Sequence, residues 1–133
     1  MRRLRTRAQF QAALSAVTVA RTVHFALHRC ALDAPAVAGA PGVQPSLFQP
    51  ADVWLGAMVP KRWARRAVTR NAIRRQIYAL AEGARLPQAA HVVRLRAGFD
   101  HRRFVSASSD ALKRAVRAEL EQLFARAARA DAS

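Results

Sequence analysis

Apolar and polar positions change period several times along the chain, and each change marks an element. Thr6 followed three residues later by Gln9 is a capping box, in which hydroxyl and amide each satisfy a free backbone N–H at a helix start. Phe10, Ala13, Leu14 and Val17 then recur at helical spacing and predict a first helix. Residues 23–28 alternate: Val23, Phe25 and Leu27 share one face, and His24, Ala26 and His28 the other, as in a strand. From 31 to 52 no period survives. Pro35, Pro41, Pro45 and Pro50, four of the six prolines, lie here with Gly39 and Gly42, which predicts a long mobile connection inside one domain. Residues 53–59 predict a second strand, ended by Pro60, which removes a backbone donor. A helix beginning near 65–67 and closing at Gly83 sends Ile73, Ile77 and Leu80 to one side. Residues 91–95 predict a short strand. Ser108 or Ser109 caps a last helix with the stripe Leu112, Val116, Leu120, Leu123 and Ala127. The order helix, strand, strand, helix, strand, helix predicts a single-domain α+β sandwich over residues 1–133.

With 52% apolar residues among 133, the chain has enough material for a packed core, which sets it apart from a disordered basic tail. A single cysteine, Cys30, excludes an internal disulfide framework and a thiol cluster for zinc. No run of about 18 apolar residues occurs, so no membrane-spanning helix is expected. Met1-Arg2-Arg3-Leu4-Arg5 before an apolar stretch resembles a targeting peptide. Gln9, Gln11, Ser15 and Thr18 interrupt that stretch and Arg21 follows, so it reads as a folded helix and the cytoplasm is the expected compartment. Charge changes the picture most. Lys and Arg number 23 against 8 Asp and Glu, a formal net charge of +15, which points to a polyanionic partner.

The charge concentrates. Lys61, Arg62, Arg65, Arg66, Arg70, Arg74 and Arg75 fall within fifteen residues, and no acid separates Asp52 from Glu82 to neutralise them. At about 100° per residue, Arg70, Arg74, Asn71, Tyr78 and Arg75 sweep one flank of the helix while its isoleucines turn to the core. Mutual repulsion makes such a face costly unless an anion occupies it. Guanidinium forks bind phosphate bidentately and stack on bases, which favours RNA, with DNA and an ordinary solvated surface as alternatives. A membrane-surface helix is disfavoured because its apolar side is short and needed for packing. A protein nuclease needs paired carboxylates or a His/Glu/Lys group, whereas Asp33, Asp52, Glu82, Asp100 and Asp110 are scattered. Taken alone, Phe10 reads as a core aromatic, His28 as a half-exposed strand histidine, and Trp54 and Trp63 as packing residues. His24, His91 and His101 lack metal-ligand spacing.

Val59-Pro60-Lys61-Arg62 and Ala67-Val68-Thr69-Arg70-Asn71-Ala72-Ile73-Arg74-Arg75 resemble the basic block of the bacterial ribonuclease P protein subunit family. The resemblance extends to the capped first helix with Phe10, the strand at Phe25, the Gly56 strand and the C-terminal helix. It implies an α-β sandwich with a left-handed βαβ crossover, where general topology would favour the right-handed form. It implies a protein subunit that assists a catalytic RNA in removing the 5′ leader of precursor tRNA, improving substrate and Mg²⁺ affinity. The Mg²⁺ is held mainly by the RNA, no catalytic residue belongs to the protein, and neither a membrane nor an obligate protein partner is involved. Lys61, Arg62, Arg70, Asn71, Arg74 and Arg75 match the RNA-binding block, and Arg65 and Arg66 add to it. Ala72 and Tyr78 stand where many members are basic. Phe10, Leu14, His28 and Met58 fall where the family holds the single-stranded leader, in a cleft between first helix and sheet; Leu14 replaces a frequent aromatic.

Overall fold

A computed structural model describes residues 1–33, 47–99 and 110–132. The elements in chain order are β1 (Arg2–Arg3), α1 (Arg7–Leu14), β2 (Val17–Arg21), β3 (Phe25–Cys30), β4 (Trp54–Met58), α2 (Ala67–Glu82), β5 (Ala90–Leu95) and α3 (Asp110–Ala132). One five-stranded sheet has the order β1-β4-β5-β3-β2. β4 and β5 are parallel neighbours joined through α2, whereas β3 runs antiparallel to both β5 and β2. The α+β class holds, and two strands join the predicted order.

Both additional strands are hard to see locally. β1 is two arginines, and its place comes from parallel pairing with β4, where Arg2 N–H donates to the Val53 carbonyl at 2.8 Å and Leu4 N–H to that of Leu55 at 2.9 Å. β2 begins at Val17, which the helical spacing assigns to the first helix. That helix stops at Ser15, whose N–H donates to the carbonyls of Ala13 and Gln11. The run Val17-Thr18-Val19 is β-branched at every position and favours the ladder with β3, leaving Val17 67% exposed. The predicted strand at 23–28 is shifted to Phe25–Cys30 because residues 22–24 form the turn of the β2–β3 hairpin. Thr22 N–H donates to the Phe25 carbonyl at 2.9 Å, and Glu119 of α3 accepts from Thr22 Oγ1, His24 N and His24 Nδ1 at 2.6–2.7 Å.

The sheet separates two cores. On one face α2 and α3 cover Phe25, Leu27, Leu55, Val93 and Leu95 with Ile73, Ile77, Val116, Leu120 and Leu123. Full burial of each such side chain contributes about 1.5–3 kcal/mol. On the other face α1 packs Ala12 and Ala13 with Leu4, Cys30, Trp54, Ala90 and Val92. Phe48, from the predicted mobile connection, is also buried there and meets Trp54 edge to face, with Leu47 packed partly buried against the same cluster; 34–46 lie outside the described residues. Trp54 Nε1 donates to the Pro50 carbonyl at 3.0 Å, which confirms packing as its role. The capping box forms as expected: Gln9 N–H donates to Thr6 Oγ1, and Gln9 Oε1 accepts from Thr6 N. The proposed Ser108 or Ser109 cap lies outside the described residues.

Candidate nucleic-acid interface

After β4 the chain turns sharply, with Trp63 and Ala64 N–H both donating to the Pro60 carbonyl. Burial of Ala64 anchors the turn, and Lys61, Arg62, Arg65 and Arg66 project from it exposed. The Arg62 guanidinium lies over the Trp63 ring, 5.2 Å from its centroid, leaving Trp63 36% exposed. α2 then starts at Arg66 with no side-chain cap and no acid in its first turn, so its free N–H groups and its positive dipole end add to the local cationic field.

The flank is not uniform. Arg70 is half-buried and its Nη1 donates to the carbonyls of Ala64 and Arg65 at 3.0 and 2.7 Å, so it fastens the turn that displays its neighbours. Arg74 Nη1 donates to Asn71 Oδ1 at 3.2 Å, which orients both at the helix surface. Arg75 borders a shallow groove of about 320 Å³ between α2 and α3, with Ala72, Gln76, Ala79 and Lys113. Tyr78, expected on the charged sweep, instead accepts from Ala57 N–H through its hydroxyl at 3.3 Å and carries the Arg3 guanidinium 3.9 Å above its ring. None of the seven cations of the block has a carboxylate within 4.0 Å among the described residues.

The second group lies across the sheet. Register places three rungs on the α1 face: Trp54–Ala90–Cys30, then Gly56–Val92–His28–Thr18, then Met58–Arg94–Ala26–Arg21. The first rung is sealed beneath α1. On the second, Phe10 rests on Gly56 so closely that a Cβ there would lie 2.5 Å from its Cε1 and 2.7 Å from its Cζ. Glycine is therefore what lets the ring approach β4 so closely. Phe10, Leu14 and Met58 are half-buried against the same cluster, so the structure brings these three together as a partly open apolar floor.

His28 is buried rather than half-exposed, at 6%. Its Nε2 accepts from Arg94 Nε at 3.2 Å, and its Nδ1 lies 3.2 Å from Thr18 Oγ1. Burial, then the charges of Arg94 and Arg21, pushes its pKa below the usual 6.5, so the ring is neutral at pH 7. An Nε2 that accepts leaves the proton on Nδ1, where the threonine hydroxyl receives it.

The ribonuclease P family model matches residues 1–128. The chain belongs to the ribonuclease P protein family. The ribonuclease P protein component of Bordetella parapertussis is 37% identical over 129 residues, covering 96% of this chain and 92% of the relative. That of Bordetella petrii is 35% identical over 126 residues, covering 93% and 89%. The RNase P protein of Staphylococcus aureus has the same fold, with a TM-score of 0.62 and 16% identity over 94% of each chain. Membership makes the chain a protein component of a tRNA-processing ribonuclease.

Sequence reasoning passed over Arg94, Arg21 and Arg3. The signal for Arg94 is a lone arginine in the apolar run Ala90-His91-Val92-Val93-Arg94-Leu95. Arg3 was hidden because β1 exists only through its pairing with β4. Among the described residues no helix is long and apolar enough to cross a membrane.

Proposed function

We propose that this chain is the RNA-binding protein subunit of ribonuclease P, holding the catalytic RNA through the turn at 60–66 and α2, and the precursor tRNA leader through the α1 face of the sheet. The observation that carries the reading is the cationic block: seven side chains on a rigid turn and helix without one carboxylate partner among the described residues. Fixed guanidinium forks offer a phosphate backbone preformed donors with little ordering cost. Arg70 serves the block by bracing the turn, and Lys61, Arg62, Arg65, Arg66, Asn71, Arg74 and Arg75 meet the RNA. On the other face Phe10, Leu14 and Met58 give bases an apolar surface, and His28 holds the floor.

Chemistry belongs to the RNA. In this reading the Mg²⁺ is held mainly by the RNA subunit. The protein's part is to raise affinity for the precursor and for that Mg²⁺, in the cytoplasm, with no membrane and no obligate protein partner.

Reconstitution tests the reading. Added to a bacterial ribonuclease P RNA at low Mg²⁺, the protein should accelerate leader removal. If the block neutralises about 6 phosphates, its affinity for that RNA should fall about 10³-fold between 50 and 200 mM salt. A flat salt response would remove the electrostatic argument, and an unchanged cleavage rate would favour a general RNA binder.

A further inference from the structure

Arg94 stands half-buried on the third rung, flanked in register by Met58 and Ala26, where the floor emerges beyond Phe10. Its Nε is committed to His28 Nε2. Its two terminal nitrogens have no hydrogen bond, and no carboxylate lies within 4.0 Å of it, among the described residues. A half-buried cation has given up part of its hydration, and without a counter-charge that loss is uncompensated. His28 cannot meet a ligand itself, because it is buried and both ring nitrogens are engaged.

We propose that Arg94 is the anion-binding group of this cleft, gripping one phosphate of a single-stranded RNA laid across Met58 and Phe10, with His28 as its positioning residue. The inference rests on the leader reading above and names the group that carries it out. With Nε held by the imidazole, the guanidinium turns its Nη1–Nη2 edge outward, and that edge matches two phosphate oxygens. Arg21, on the same rung, adds a second positive charge. The apolar side chains beside Arg94 take the base or ribose next to the gripped phosphate, so recognition follows the backbone and tolerates leader sequence.

The test uses the reconstituted holoenzyme and measures affinity for precursor and for mature tRNA across a salt series. Arg94→Met should lower precursor affinity about tenfold. It should also reduce the salt slope by about 0.7, the value for one single-strand phosphate, and leave mature tRNA affinity as it was. Arg94→Lys keeps the charge, so it should restore the slope but not the full affinity; it also serves if the methionine variant folds poorly. His28→Phe should keep the slope and lose part of the precursor affinity, since the guanidinium is no longer aimed. Arg94→Met matching the parent protein in affinity and slope would overturn the proposal, as would equal losses for precursor and mature tRNA. A loss seen with only particular leader sequences would replace phosphate binding by base readout. Failure of the parent protein to favour precursor over mature tRNA would instead sink the leader reading on which the proposal stands.

Discussion

Two arginine–histidine pairs cross the β3–β5 ladder, one on each face of the sheet. On the α2–α3 face, Arg29 Nε donates to His91 Nδ1 at 3.2 Å and His91 Nε2 meets the Pro87 carbonyl at 3.0 Å. Asp131, near the end of α3, accepts from both terminal nitrogens of Arg29. On the α1 face, Arg94 reaches His28 in the same way, but no acid completes the chain among the described residues. The first network is closed within the protein and acts on stability. The second keeps a half-buried charge in reserve, which suits it to a ligand. The same residue pair therefore serves two ends, and the counter-ion decides between them.

The largest effect expected from breaking this comparison is on the closed side. Arg29→Met leaves a buried imidazole acceptor without its donor and Asp131 without its cation, and should cost about 2 kcal/mol. Urea unfolding should show that loss with precursor affinity unchanged. Arg94→Met also takes the donor from His28 but breaks no ion pair among the described residues, so it should lose less stability and, unlike Arg29→Met, lose precursor affinity. Equal stability losses for both variants would erase the distinction between the faces.

A smaller effect follows from pH. Burial is the main cause holding both His28 and His91 below 6.5; neighbouring arginines act in the same direction, while the Pro87 carbonyl and Asp131 oppose it at His91. Unfolding releases these rings to their ordinary affinity for protons, so below about pH 6.5 the unfolded chain binds more protons than the folded one. Stability should be complete above that pH and decline as pH falls beneath it. A urea midpoint that is unchanged, or rises, between about pH 7.5 and 5.5 would contradict neutral buried histidines.

The finest distinction carries almost no energy. Arg94 donates to Nε2 of His28, whereas Arg29 donates to Nδ1 of His91, so the two neutral rings must be opposite tautomers. Imidazole ¹⁵N shifts should place the proton on Nδ1 in His28 and on Nε2 in His91. Identical tautomers would mean that one of the two arginine contacts is absent in solution.

Much of the molecule was legible in the sequence because its signals are local. The Thr6/Gln9 capping box, the apolar stripe of α3 and the run of cations from Lys61 to Arg75 depend on residues within a turn or two of each other. Alternation correctly set His28 opposite Phe25 and Leu27. Helical spacing misled at Val17, where it happened to continue into a β-branched strand, and no local period marks Arg2–Arg3, which form a strand only against β4. Arg70 and Tyr78 share the charged flank by periodicity, yet backbone partners at Ala64, Arg65 and Ala57 draw them into structural work that spacing cannot reveal.

By itself the sequence determined where helices start, which faces are apolar, and that a dense cationic block sits at the start of a helix; these follow from propensity and period. Only the tertiary structure decided which charges are spent and which are free. Arg29 finds Asp131, and Arg94 finds His28, across separations of 102 and 66 residues, and the sheet order sets which meeting occurs. A charge's effect depends on burial and on the nearest opposite charge, and both are properties of the folded chain.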